Sequence, residues 1–202
     1  MWFYVNIVIK TERKEMQFNW LESPVIAFDV ETTGLYADKD RVVEIACVMF
    51  EDGREVDSLS SLINPGIPIP EVVSNIHGIY DDDVMDAPTM ADFFDYFEDF
   101  VGNNVLVAHN AKFDLSFLRK EYARAGRDFP SLLILDTLSM SRKAFPGLPK
   151  YNLKALAYSC GIEQKYHHRA LDDARTCGEL FYKCIRQLAP SGELAIRGFS
   201  VG

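Results

Sequence analysis

The 202-residue chain has only four cysteines, Cys47, Cys160, Cys177 and Cys184, and none of them stands in a C-x-x-C spacing. That excludes a disulfide framework and a cysteine-based zinc site, and leaves buried free thiols in a reducing compartment. Glycine and proline, at 12 and 9 residues, are close to average usage, so collagen-like and low-complexity classes fall away. No hydrophobic run approaches the ~18 residues of a membrane span: the longest, Met1–Ile9, is broken by Asn6. It also lacks a basic leader and a small-residue cleavage site. The expectation is a soluble, cytoplasmic protein with no membrane partner. Internal repeats are absent. At this length one domain with a short appendage is expected, burying roughly 70–75% of its unfolded surface without staples.

Positive charge is also scarce overall, with 21 Lys/Arg against 30 Asp/Glu and a net charge of −9. A protein that grips long duplex through many phosphates is therefore excluded. The charge is unevenly spread, however. Lys112–Arg169 carries eleven Lys/Arg against five Asp/Glu, while Asp81–Asp99 holds eight acids and no base. The acidic run reads as a solvated helix face. The basic half leaves room for a short strand end.

Three divisions follow: an N-terminal extension over 1–22, an organised domain over 23–190 and a tail over 191–202. The extension is an apolar stretch followed by the polar run Lys10–Gln17, consistent with an added edge strand or an appended arm. Val25–Val30 reads as a buried central strand. Arg41–Phe50 and Glu55–Ile63 are the next two, joined by a turn at Glu51-Asp52-Gly53-Arg54. Helical periodicity then places Phe93, Phe94, Phe97, Phe100 and Val101 on one stripe behind a Thr89/Asp92 capping box. Val105–Ala108 and Leu132–Leu135 are short strands. Asp114–Ala125, Leu153–Ser159 (capped by Asn152) and Ala170–Leu188 are helices. A three-strand meander followed by alternating strands and helices predicts an α/β mixed sheet with helices on both faces.

Carboxylates sit where such a fold does not need them. Asp29 and Glu31 are two apart near the end of the first strand, so both point to one face and repel unless a cation or proton intervenes. An acidic turn is the plainer reading of the pair. Asp173 lies within or beside the apolar stripe of the last helix, where a carboxylate needs a partner. Asp114 opens a helix, where dipole compensation alone would explain it. His168 lies on the loop entering the last helix, where a structural role is the ordinary one. Together, four acids and a histidine stand at the ends of separate elements and can converge. Carboxylates that hold two divalent cations about 4 Å apart are a known device for phosphoryl displacement. Oxygen ligands without thiolates favour Mg²⁺ or Mn²⁺, and a nearby histidine can accept the proton of the attacking water.

The segments F-D-V-E-T-T-G-L (Phe28–Leu35), A-H-N-A-K-F-D (Ala108–Asp114) and H-H-R-A-L-D-D-A (His167–Ala174) resemble, in order and separation, the three motifs of the DEDDh 3′–5′ exonucleases. These include the DNA polymerase III epsilon subunit and ribonuclease T. The resemblance runs from Pro24 to Leu188. It implies a ribonuclease H-like fold, two Mg²⁺ or Mn²⁺ ions and release of nucleotides from a single-stranded 3′ end. It further implies that Asp29, Glu31 and Asp173 bind one metal, that Asp29 bridges to the second and that Asp114 supports the second. His168, five residues before Asp173, matches the family's general base; His167 does not. Arg169 stands where the tyrosine subclass has its tyrosine. Thr33, Gly34 and Leu35 resemble the turn that receives the terminal nucleotide. His109, Asn110 and Phe113 match the strand-contacting part of the second motif, and Asn75–Ile79, with His77, the loop that covers the terminal base.

E-T-T-G-L looks more like polymerase-associated exonucleases than like oligoribonucleases, which favours DNA over RNA as substrate. A DNA polymerase partner would have to bind the domain itself or residues 1–22, since no polymerase domain accompanies it. A non-catalytic nucleic-acid or polymerase-binding module on the same fold would be marked by loss of a carboxylate or the histidine; all five are present.

Overall fold

The computed structural model describes residues 7–10, 15–21, 23–164, 168–195 and 200–201. The strands are β1 (Ile7–Lys10), β2 (Glu15–Asn19), β3 (Val25–Thr32), β4 (Val42–Glu51), β5 (Arg54–Leu62), β6 (Val105–Ala108), β7 (Ile134–Asp136), β8 (Glu193–Ala195) and β9 (Ser200–Val201). The helices are α1 (Glu71–His77), α2 (Asp81–Val84), α3 (Met90–Val101), α4 (Lys112–Arg124), α5 (Thr137–Ala144), α6 (Leu153–Cys160) and α7 (Ala170–Leu188).

Among the described residues the main sheet runs β5-β4-β3-β6-β7-β9. The meander β3–β4–β5 is antiparallel, β3, β6 and β7 are parallel, and β9 is antiparallel to β7. This is the expected mixed sheet with helices on both faces. Val25, Ile26, Ala27 and Phe28 are all fully buried, as a central strand covered on both sides requires. Asp52 and Gly53 both have positive φ, the geometry of a tight hairpin turn.

One face packs Val25, Ala27, Ala46, Val48 and Val107 against α5, α6 and α7. The other packs Ile26, Phe28, Ile45 and Leu106 against α3 and α4. Helix α7 comes close to β4 because residue 178 is glycine: a Cβ there would run into the ring of Phe50. The Thr89/Asp92 capping box and the Asn152 cap form as expected. The acidic run of α2 and α3 faces solvent, with Asp95 and Glu98 paired to Arg127. Cys47, Cys177 and Cys184 are buried free thiols, and Cys160 is half-buried.

Three local expectations change. The extension does not add an edge to the main sheet. Its strands β1 and β2 form a separate small sheet with β8 from the C-terminal segment. Trp20 anchors this sheet, buried against Tyr182 and donating its indole N–H to the carbonyl of Ala189 at 2.9 Å. Asn75–His77 form the last turn of α1 rather than a loop, ended by Gly78 in the left-handed region (φ 73°). The last parallel strand starts at Ile134, and Asp136 at its end caps a helix not foreseen, α5, by accepting from the N–H groups of Leu138 and Ser139.

Candidate active site

The site lies at the C-terminal end of β3. Asp29 and Glu31 point to the face covered by α7, and a register shift between Glu31 and Thr32 in the β3–β4 ladder bends the strand end there. The Cα partner of Glu31 across that ladder is Glu44 of β4, so a third carboxylate shares the face. The first turn of α7 supplies Asp173. The preceding loop supplies His168, exposed and held at φ 58°. Ligand atoms of Glu31, His168 and Asp173 all lie within 4.8 Å of one another. Asp114 enters from α4, buried, and its Oδ1 accepts the N–H of Val30 at 3.3 Å. The structure thus gathers the four acids and the histidine at one strand end.

Their electrostatics follow from burial and mutual repulsion. Burial raises the Asp29 carboxyl well above its ordinary range, and Asp114, Glu31, Asp173 and Glu44 push it further. Glu31 is pushed up to about 8 by burial and by Asp173 and Glu44, with Arg169 pulling the other way. Asp114 is pushed up to about 7 by burial, against the N–H bonds that favour its charged form. The guanidinium of Arg169 is taken up by Glu44. Acids this crowded are relieved by a divalent cation, and the all-oxygen donors with one imidazole suit a hard ion.

The lip of the site is the 33–41 loop. Thr33 is buried and exchanges bonds with Arg41, its N–H going to the Arg41 carbonyl at 2.8 Å and its Oγ1 accepting from the Arg41 N–H at 3.1 Å. Gly34 lies over the Asp40 carboxylate, where any Cβ would clash. Leu35 and Tyr36 are exposed at the tip. Arg41 and Arg124 both bond the buried Glu121, which ties the loop to α4.

His77 is buried beside this lip. Its Nδ1 accepts the N–H of Ile79 at 3.0 Å, while Nε2 makes no full hydrogen bond among the described residues. Burial lowers its pKa; the Thr32 backbone and the Glu44 charge oppose that. Asn110 is exposed in the left-handed region, with its N–H on Asp136, and Phe113 is half-buried against Phe117. His109 is turned inward: its ring nitrogens meet Thr137 Oγ1 at 3.0 Å and the Tyr151 carbonyl at 2.8 Å, which makes it a brace for the 137–151 segment. His167 lies outside the described residues.

Sequence reasoning missed Glu44, Asp136 and Glu121. An acid inside the apolar run V-V-E-I-A was the available signal for Glu44. Asp136 and Glu121 gave none beyond ordinary capping and surface patterns.

An exonuclease family model matches residues 26–181. The epsilon subunit of DNA polymerase III from Treponema pallidum is 42% identical over 161 residues, covering 79% of this chain and 75% of its own length. This chain belongs to the DEDDh exonuclease family. It is also 38% identical over 174 residues to the PolC-type DNA polymerase III of Oceanobacillus iheyensis. That match covers 86% of this chain but spans only 12% of the relative's length. Among solved structures, exonuclease X in complex with 5′-overhanging duplex DNA has a TM-score of 0.69 at 29% identity, covering 87% of this chain and 97% of that one. The nuclease domain of 3′hExo, a DEDDh family member bound to rAMP, has a TM-score of 0.72 at 15% identity, covering 81% and 92%, and shares the fold. The matched span, residues 26–181, contains all four acids of the cluster and His168. No helix among the described residues is long and apolar enough to cross a membrane.

The carboxyl shifts of this DEDDh exonuclease predict how its stability depends on pH. With Glu31 and Asp114 raised to about 8 and 7, the folded metal-free protein keeps protons that the unfolded chain releases. Its unfolding free energy must then fall as pH rises through that window. His77 and His109, lowered by burial, act in the opposite sense below the ordinary histidine range of about 6.5, and the buried thiols, raised by burial, add to the fall only near their ordinary range of about 8.5, so pH 7 to 8 reads the carboxylates. In EDTA the melting temperature should drop by about 5 °C across that interval. Saturating Mg²⁺ or Mn²⁺ should remove most of the drop. A metal-free melting temperature that rises with pH would contradict the assignment.

Proposed function

We propose that this exonuclease works from the 3′ end of a single strand, of DNA in preference to RNA, and releases nucleoside 5′-monophosphates. The observation that carries the reading is the convergence of Asp29, Glu31, Asp114 and Asp173 with His168 at the end of β3. Asp29, Glu31 and Asp173 would hold one Mg²⁺ or Mn²⁺, Asp29 would be shared with a second, and Asp114 would support the second directly or through water. Two such ions supply a Lewis acid and charge for the attacking and leaving oxygens.

The chain's own residues do the rest. His168 takes the proton of the attacking water, reaching it from the exposed side of the cluster. The Thr33–Leu35 turn receives the terminal nucleotide, its backbone facing the free 3′-hydroxyl and Leu35 its base. His77, Asn110 and Phe113 line the path of the strand, and His109 supports that wall from behind. The catalytic unit is residues 23–190, with 1–22 as an added segment and 191–202 contributing β8 to the small sheet and β9 to the edge of the main one. In the cell it acts in the cytoplasm beside a DNA polymerase, the activity with which its relatives are named.

The test uses 5′-labelled single strands of DNA and RNA of equal sequence, with Mg²⁺, Mn²⁺ or EDTA. The label should shorten in single-nucleotide steps, faster on DNA, and not at all in EDTA. A terminal 3′-phosphate should slow cleavage at least tenfold, since it displaces the hydroxyl from the Thr33–Leu35 turn, a loss of about 1.4 kcal/mol or more in transition-state binding. Nicking of a circular single strand would overturn the exonucleolytic polarity.

A further inference from the structure

Glu44 is an unfavourable residue in its place. It is buried in β4 with 4% of its surface exposed, and it stands directly across the ladder from Glu31, where like charges repel. A carboxylate so placed costs stability unless it is fully bonded. Among the described residues its hydrogen-bond partners all lie at the start of α7. Arg169 Nε donates to both carboxylate oxygens at 3.2 Å, and Arg169 Nη2 donates to Oε1 at 2.8 Å. The N–H of Ala170 donates to Oε2 at 2.9 Å.

Ala170 is the first residue of α7, so its N–H is one of the donors that the helix itself leaves free. Arg169, at the N-cap position, provides no side-chain cap of its own. A strand residue 126 positions earlier therefore does the capping. The residue immediately before this fastened pair is His168, held at φ 58°. A non-glycine residue persists there when its surroundings over-determine it. Its ring nonetheless lies within 4.8 Å of the Glu31 and Asp173 ligand atoms.

We infer that the Glu44–Arg169 pair is a positioning device for His168. The fork of hydrogen bonds pins residues 169 and 170 to the sheet, which forces the chain one residue earlier into the left-handed turn that delivers the imidazole to the carboxylates. In this role Glu44 needs no contact with the substrate or the attacking water. It acts through the backbone of the base. This inference rests on the reading of His168 given above.

A double-mutant cycle with a kcat and KM split tests it. Glu44→Gln and Arg169→Lys, which keeps the charge but loses the planar fork, are each measured alone and combined with His168→Ala on a 5′-labelled single strand in Mn²⁺. Melting temperatures are read in parallel. Arg169→Lys leaves β4 untouched and carries the test if Glu44→Gln does not fold. Each single change should lower kcat about 10- to 100-fold, the scale of a displaced catalytic group, with KM and the Mn²⁺ half-saturation unchanged. In the His168→Ala background neither should have any further effect. Full additivity there would overturn the positioning role. So would a raised KM at constant kcat, which would make Arg169 a substrate contact, or a raised Mn²⁺ requirement, which would make Glu44 part of the metal cluster. A fully active His168→Ala enzyme would instead bring down the base assignment, and this inference with it. Normal rates in both single variants beside a crippled His168→Ala would bring down the positioning role alone.

Discussion

Asp29→Ala is expected to abolish cleavage and to leave the metal-free fold at least as stable as before. Both halves follow from one fact. Asp29 is the carboxylate on which the others converge: burial raises it first, then Asp114, Glu31, Asp173 and Glu44 each add to the shift. In the metal-free protein its removal takes away a repelling neighbour of Glu31 and Asp114, so the cluster relaxes. With metal present, the same removal would take the carboxylate proposed to be shared by both ions. Metal-ion stabilisation of a phosphoryl transition state is worth several kcal/mol, and each 1.4 kcal/mol is tenfold in rate. A loss of about 10³-fold or more is expected in a single-turnover assay. Thermal melts in EDTA should show no loss, while the stabilisation by Mn²⁺ should shrink sharply. A variant with near-normal activity would remove Asp29 from the metal site. A variant that melts far below the parent in EDTA would mean that the acid is structural.

His168→Ala should lower the rate by about 10²–10⁴-fold, the ordinary contribution of a general base, while the metal requirement stays near that of the parent. The side chain is exposed, lies next to Glu31 and Asp173, and sits on a backbone held in the left-handed region. It can therefore reach a water on the substrate side of the cluster without supporting the core. Its loss should leave the melting temperature near that of the parent, since alanine releases no buried contact there. His167→Ala should do much less, because the spacing to Asp173 selects the second histidine of the pair. Equal losses in both variants, or a larger one at position 167, would mean that the base has been assigned to the wrong imidazole. A large rise in the Mn²⁺ needed by His168→Ala would make the ring a metal ligand instead.

The two predictions draw on different kinds of information. The acid pair on β3 was legible because the strand period of two places Asp29 and Glu31 on one face wherever the strand goes. Helix α7 was legible to its last residue because its apolar positions repeat over five turns without interruption, and the parallel strands were legible as short buried runs. The Thr89/Asp92 capping box and the Asn152 cap announced themselves within four residues. All of these signals are local, so they survive in the sequence without any knowledge of what packs against what. Spaced motifs added the convergence of Asp114, His168 and Asp173, which periodicity could not supply.

What stayed hidden depends on partners far apart along the chain. Glu44 meets Arg169 across 125 residues, Asp136 holds the N–H of Asn110 from 26 residues away, and Glu121 joins Arg41 across 80. Asp136 and Glu121 look in sequence like a helix cap and a surface residue, and Glu44 only like an acid inside an apolar run; burial against a distant element is what turns each into a fastener. The small β1–β2–β8 sheet was hidden for the same reason, since Phe18 pairs with Leu194, and no pattern within residues 1–22 names that strand. His109 looked like a substrate contact until Thr137 and Tyr151 were found on its two nitrogens. Chain periodicity and motif spacing therefore pick out the candidate residues of the site. The orientation of those residues is set by side-chain bonds between elements, because such bonds form only once the sheet has brought remote segments within about 3 Å of each other.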